Sequence, residues 1–148
     1  MSKSSDDLAV SLFSEILVVE QLARTSVARV LPKGMELSHF SVLNHLAHSA
    51  TERSPAQLAK TFNLTRGAMT NTLHKLEWAG WVHIRPDWDD ARRKMVAISP
   101  SGQSARNAAL AAIAPLIADV VTSVGEDKVR TALPVLREMR LKLRGALD

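Results

Sequence analysis

The stretch "SPAQLAKTFNLTRGAMTNTLHKLEWAGWV", residues 54–82, decides how the rest of the chain is read. Ser54 can cap a helix, Pro55 stands where a missing N–H costs nothing, and Gln57 can reach back to close the cap. Leu58, Ala59 and Phe62 continue that helix inward. A second helix opens a few residues on, with Thr65 as its cap and Leu64 and Met69 spaced to staple its entry. It ends at Gly80, which suits the left-handed position past a last turn. Two short helices across a tight turn, the second polar on its outer face, spell a helix-turn-helix.

If Met69, Leu73 and Leu76 face inward, Gly67, Thr70, Asn71, His74 and Trp78 fall on the opposite side, flanked by Lys75. Asparagine can bond adenine through two hydrogen bonds, threonine can touch a thymine methyl, and a glycine lets backbone approach closely. Arg66 and Thr65, at the helix start, are placed for phosphate. Taken alone, such a stripe is more often a solvated helix face. Its surroundings give it another meaning.

Downstream of Gly80 the period changes to two. "WVHIR" (81–85) and "KMVAIS" (94–99) alternate and are rich in β-branched residues, while the "PDWDDAR" between them has no apolar pattern beyond Trp88. This predicts a small hairpin with a long tip, the wing of a winged helix-turn-helix, whose second helix is expected to enter a major groove. "SPSG" from Ser99 then caps a long Ala-rich helix, and "GEDK" from Gly125 opens a last one with acids in its first turn. Pro115 and Pro134 fall inside these helices and predict bends.

Upstream, Ser38 is read as the cap of a helix carrying Val42, Leu43 and Leu46, and "LPKG" (31–34) separates it from a long first helix. In that first helix Leu8, Leu12, Ile16, Val19, Ala23, Val27 and Val30 form one stripe, and Phe13, Leu17 and Leu22 a second. A helix with two apolar faces needs a central position or a second chain to cover it.

The totals fit this reading. The chain of 148 residues is one domain in length, its 4% aromatic content favours helices over a β-sandwich, and its net charge of +4 suits a polyanionic partner without requiring one. Having no cysteine excludes disulfides, thiolate catalysis, thiol redox sensing and thiolate metal sites. The first thirty residues show no export signal. The apolar run from Ala108 to Val121, interrupted by Asp119, is read as a packed helix rather than a membrane span. A cytoplasmic location is expected.

The most specific motif is Asp90-Ala91-Arg92-Arg93 followed by "KMVAISPSG" (94–102), which resembles the wing signature of the MarR family of bacterial transcriptional regulators: Asp-x-Arg, an alternating strand, then Ser/Thr-x-x-Gly. Leu58-Ala59, Leu76-Glu77 and Gly80 are similar to that family's helix-turn-helix, and "SHFSVLNHL" (38–46) to the helix before it. The resemblance implies a mainly α fold with a small β-hairpin wing, as a single domain over 1–148. A winged helix-turn-helix would occupy 37–99, and helices at 8–31 and 101–148 would interlock with those of a second copy. It implies a homodimer on a pseudo-palindromic operator in double-stranded DNA. Arg92 would enter the minor groove, where narrowness concentrates negative potential, and Asp90 would brace it. Arg93 or Lys94 would then meet phosphate. Residues expected to face DNA are Ser54, Thr65, Arg66, Gly67, Thr70, Asn71, His74, Lys75, Asp90, Arg92, Arg93 and Lys94. Trp88 and the two internal prolines depart from the family pattern.

Relatives commonly answer small, often anionic aromatic effectors, which here would meet Gln21, Arg24 or His39, although a structural role suits each. No cofactor and no metal is expected. His45 and His48 have ligand spacing but no third partner, and no motif pairs a nucleophile with a base. Two other readings remain: a winged-helix module that binds protein, and a small metal-dependent enzyme using those histidines with Asp87, Asp89 and Asp90.

Overall fold

The computed structural model describes residues 3–49 and 51–148. Ala50, in the polar loop expected after the second helix, lies outside them, as do Met1 and Ser2 of the segment read for an export signal. The order is α1 (Lys3–Val30), α2 (Leu37–His48), α3 (Pro55–Thr61), α4 (Arg66–Trp78), β1 (Val82–Pro86), β2 (Lys94–Ile98), α5 (Pro100–Val124) and α6 (Glu126–Leu147). The chain is mainly α with one antiparallel hairpin, the winged arrangement the sequence predicts.

Two compact units meet in sequence between Ala112 and Ile113. In the first, Val42, Leu43 and Leu46 of α2, Leu58 and Ala59 of α3, and Met69, Leu73 and Leu76 of α4 form one core with Val82 and Val96 of the hairpin and Ala109 of α5. The inner stripe expected for α4 is thus the one that is buried.

Local chemistry explains the joints. The Ser54 hydroxyl accepts from the Gln57 N–H at 3.2 Å and the Gln57 side chain accepts from the Ser54 N–H at 2.9 Å, closing the capping box. At the end of α3, Asn63 takes φ +52°, the Leu64 N–H reaches the Ala59 carbonyl at 2.9 Å and the Asn63 N–H reaches Lys60 at 3.2 Å. At the end of α4, Gly80 takes φ +78°, and Trp81 and Gly80 donate to Leu76 and Glu77, both at 2.9 Å. Both ends are Schellman motifs, in which a left-handed residue lets the chain return to satisfy orphan carbonyls. Asparagine tolerates that conformation better than most residues, so a glycine was needed only at the second end.

Ser99 joins wing to α5. Its hydroxyl donates to the Gly80 carbonyl at 2.6 Å and accepts from the Gly102 N–H at 2.9 Å. A Cβ on Gly102 would stand 2.0 Å from the Trp81 carbonyl oxygen, so the Ser-x-x-Gly motif is a close helix-to-hairpin contact that only glycine permits.

Several expectations need correction. The cap of α2 is Glu36, not Ser38: the Glu36 N–H donates to the ring Nδ1 of His39 at 3.1 Å, so the helix starts one residue before Ser38. The first helix begins at Lys3 rather than Leu8, because a polar, exposed turn can be helical without an apolar stripe, and Asp6 there complements the helix dipole. The run from Ala108 to Val121 is less packed than expected, being buried only at Ala109 and Ile113, and α5 is long and apolar enough to cross a membrane by length and composition. Arg53 adds a short bridge to the hairpin, exchanging backbone hydrogen bonds with Val96 at 3.1 and 2.7 Å. Nothing in the polar residues around it announced a strand.

Candidate nucleic-acid interface

The Thr65 hydroxyl accepts from the Ala68 N–H at 3.1 Å and so fixes the start of α4. From that start Arg66, Gly67, Thr70, Asn71, His74 and Lys75 are all exposed, opposite the buried stripe. Beyond Lys75, only Glu77 adds an acid to the helix. Hydrogen-bonding groups and two cations, Arg66 and Lys75, therefore dominate its outer face.

The wing tip is ordered by its acids. The Asp87 N–H donates to the Arg93 carbonyl at 2.9 Å, closing the loop, and the Asp87 carboxylate accepts from the Asp89 N–H at 3.2 Å. Asp90 accepts from the Arg92 N–H at 3.1 Å and holds its guanidinium through Nε at 3.1 Å and Nη2 at 3.4 Å. Those bonds from Arg92, with the charge of Arg93, keep the Asp90 carboxyl ionised below its usual range. The Arg92 side chain stays 91% exposed, so it is oriented without being covered. Of the three acids at the tip, Asp87 and Asp90 shape the loop, and Asp90 also aims an arginine. Nothing in the structure explains Asp89.

The fold brings these pieces together. A groove of about 460 Å³ is lined by Ser54, Pro55, Ala56, Arg66, Thr70, Arg92, Arg93 and Lys94, so the starts of α3 and α4 face the base of the wing. Its cations, Arg66, Arg92, Arg93 and Lys94, meet no acid in its lining. A second cleft of about 460 Å³, sharing Pro55, Thr70 and Lys94, runs on past His74 to Arg85 and Glu77. Thr65, Gly67, Asn71 and Lys75 line neither, lying on the open face of α4. Ser54 is 5% exposed and its hydroxyl is occupied by the helix cap.

The residues considered for an effector are scattered. Gln21 is exposed on α1, and Arg24 there pairs with Glu20 at 2.5 Å. His39 is buried, edge-on to Trp81 at 6.4 Å, and its Nδ1 is taken by the α2 cap. Burial lowers its pKa, outweighing the opposing pull of Glu36, with Lys75 adding to the lowering. None of the three lines the grooves above.

His45 and His48 do not form a metal pair. The His48 Nδ1–H donates to the Asn44 carbonyl at 2.8 Å and its Nε2 accepts from Arg106 at 3.5 Å, while His45 lies edge-on to Phe62 at 5.6 Å with Nε2 buried and unbonded. Burial, then Arg53 and His48, lower the His45 pKa. Among the described residues, no group of three or more His, Asp or Glu side chains could hold a metal ion.

Sequence reading missed one constellation at the wing. Arg85 lies under Trp88 with Cζ 4.4 Å from the ring centroid and pairs with Glu52 at 2.8 Å. The partners are 33 residues apart, and alternation along β1 carries no sign of either contact.

Residues 33–93 match the model of the MarR family. No curated protein matches the chain in sequence. Among solved structures, the transcriptional regulator BldR from Sulfolobus solfataricus is 25% identical, with a TM-score of 0.75 over 93% of this chain and 99% of that one. A mutant MarR from E. coli, complexed with operator DNA, is 23% identical, with a TM-score of 0.78 over 90% and 96%. A MarR-family regulator from a Rhodococcus species is 21% identical, with a TM-score of 0.76 over 94% and 97%.

Proposed function

We propose that the chain, whose residues 33–93 match the MarR family and whose fold is that of winged helix-turn-helix transcriptional regulators, is a regulator of that family that binds a specific double-stranded operator as a homodimer and regulates transcription from it. The observation that carries this reading is the groove that sets Arg66 and Thr70 of α4 opposite Arg92, Arg93 and Lys94 of the wing. In it, the exposed face of α4 enters a major groove, with Thr70, Asn71 and His74 at base edges and Arg66 with the α4 N-terminus at phosphate. Arg92, held by Asp90, enters the adjoining minor groove. Residues 37–99 are the reading lobe, and 8–31 with 101–148 pair the two copies.

The dimer is supported by apolar surface. α1 has no buried residue yet carries Leu8, Leu17, Val19 and Leu22 at 61–72% exposure, and α6 likewise exposes Leu141, Leu143 and Leu147. So much apolar area in water calls for a covering chain. In the second unit α5 also exposes Ile117, Val120 and Val124, apolar surface that a covering chain would suit as well.

The protein would act by binding and not by catalysis, on the DNA in the cytoplasm. Repression, released when a small effector changes the spacing of the two lobes, extends the family resemblance. Selection of fragments from a random duplex pool tests the core of this reading. A palindrome with half-sites about one helical turn apart, bound with an affinity that falls steeply with salt, is the expected outcome. Retention of no preferred sequence, with a flat salt response, would leave the same face to a protein partner.

A further inference from the structure

Trp88 is a wing residue that neither the core nor the cationic groove uses. Its indole is 84% exposed, yet it is not free to wander. One face rests on the Arg85 guanidinium, 4.4 Å from Cζ to the ring centroid. Arg85 is itself gripped: Nε donates to Glu52 Oε1 at 3.3 Å, Nη2 meets Oε2 at 2.8 Å, and Nη1 donates to the Pro86 carbonyl at 2.7 Å. Glu52 adjoins Arg53, which is bonded through its backbone to Val96 in β2. A continuous series of fixed contacts thus runs from the hairpin to an indole whose other face is open. Much of the freedom such a side chain would lose on binding is already lost.

The loop geometry says what the open face meets. The Asp87 N–H and the Arg93 carbonyl close the tip, so Trp88 and Arg92 are the next residues on its two arms. That closure sets Trp88 across the short tip from Arg92. Asp87 and Asp89 flank Trp88 in sequence, and their charges oppose a phosphate at this arm of the tip. The parts of a duplex that suit an uncharged ring between two carboxylates are the deoxyribose walls and base edges of the minor groove, where apolar wedges are a known means of recognition.

We infer that Trp88 is a second minor-groove residue of the wing, packing its open face on deoxyribose and base edge beside Arg92, and that Glu52 and Arg85 are positioning residues that hold it there. The inference rests on the DNA-binding reading above and adds a shape-reading contact to it.

The test uses the duplex that the wild-type protein selects from a random pool, titrated by anisotropy over a series of salt concentrations. Trp88→Ala loses about tenfold in affinity. The slope of log affinity against log salt does not change, because a neutral contact releases no counterion. Trp88→Phe recovers most of the loss, and Glu52→Gln reproduces part of it. Adding the duplex changes the indole emission of the wild type more than that of Trp88→Phe. Wild-type affinity in Trp88→Ala, or a loss confined to the salt slope, overturns the inference while leaving DNA binding intact, and the indole then belongs to a protein contact. If the wild type selects no duplex, the DNA-binding reading and this inference fall together.

Discussion

Arg92 owes its pose to Asp90, through a backbone and two side-chain hydrogen bonds, while remaining open to water. A purely basic tip would settle on any phosphate, whereas a braced guanidinium is held ready for one groove. Arg92→Ala should therefore cost about 1–3 kcal/mol in operator binding, measured at fixed salt, with the thermal midpoint unchanged. Equal affinity in the two proteins would remove the wing arginine from recognition. The folded Asp90 carboxyl has a depressed pKa, so its brace is complete above the ordinary carboxylate value and is lost only as pH falls through the lower folded one. The two shifted histidines give the opposite experience of acid. His39 and His45 are harder to protonate in the fold than at their ordinary value of 6.5, chiefly through burial. As pH falls through 6.5, the unfolded chain takes up protons that the folded one refuses, so stability declines until the folded rings protonate and then levels off. Urea unfolding should show the wild type less stable at about pH 5.5 than at about pH 7.5, with much of the difference removed in the double variant His39→Asn, His45→Phe. Stability that rises on acidification would contradict this.

Among elements, the decisive joint is the one between hairpin and α5. Ser99 ties the Gly80 carbonyl to the first turn of α5, and Gly102 presses that turn onto the Trp81 carbonyl. Since backbone cannot yield as a side-chain tip can, Gly102→Ala should destabilise the lobe by about 1–3 kcal/mol, read by chemical denaturation. A neutral effect would mean that the helix start shifts freely. The wing's orientation toward α4 follows from this joint and from the Arg53–Val96 bridge, so the same variant should weaken DNA binding beyond its effect on the folded fraction. The two Schellman ends act alike on the angle between α3 and α4: with Asn63 and Gly80 left-handed, the chain turns within a few residues and the recognition face emerges where the wing can adjoin it.

At the scale of the whole molecule, α1 and α6 have no buried residues, although each is rich in leucine and valine. The proposed second copy accounts for this. The protein should sediment at twice the 16.2 kDa of one chain. Leu17→Glu, at a position 66% exposed in the single chain, should dissociate the dimer and lower affinity for the full palindrome while sparing binding to a half-site. A wild-type protein of 16.2 kDa in solution would instead require another cover for these faces.

Sequence alone determined whatever depends on neighbours along the chain. Capping residues, the three-and-four spacing of Met69, Leu73 and Leu76, the switch to period two after Gly80, and the Asp-x-Arg of the wing are local patterns, and the helices, the hairpin and the exposed face of α4 follow from them. The cap of α2 escaped because Glu36 is an unusual cap that needs the His39 ring to complete it. Only the tertiary structure decided what depends on groups far apart in sequence: the grip of Glu52 on Arg85 beneath Trp88, the bridge from Arg53 to Val96, and the groove that joins Arg66 to Arg92. Such contacts are set by the packing of one core against a hairpin, and no short-range periodicity encodes the distance between side chains that meet only when that core closes.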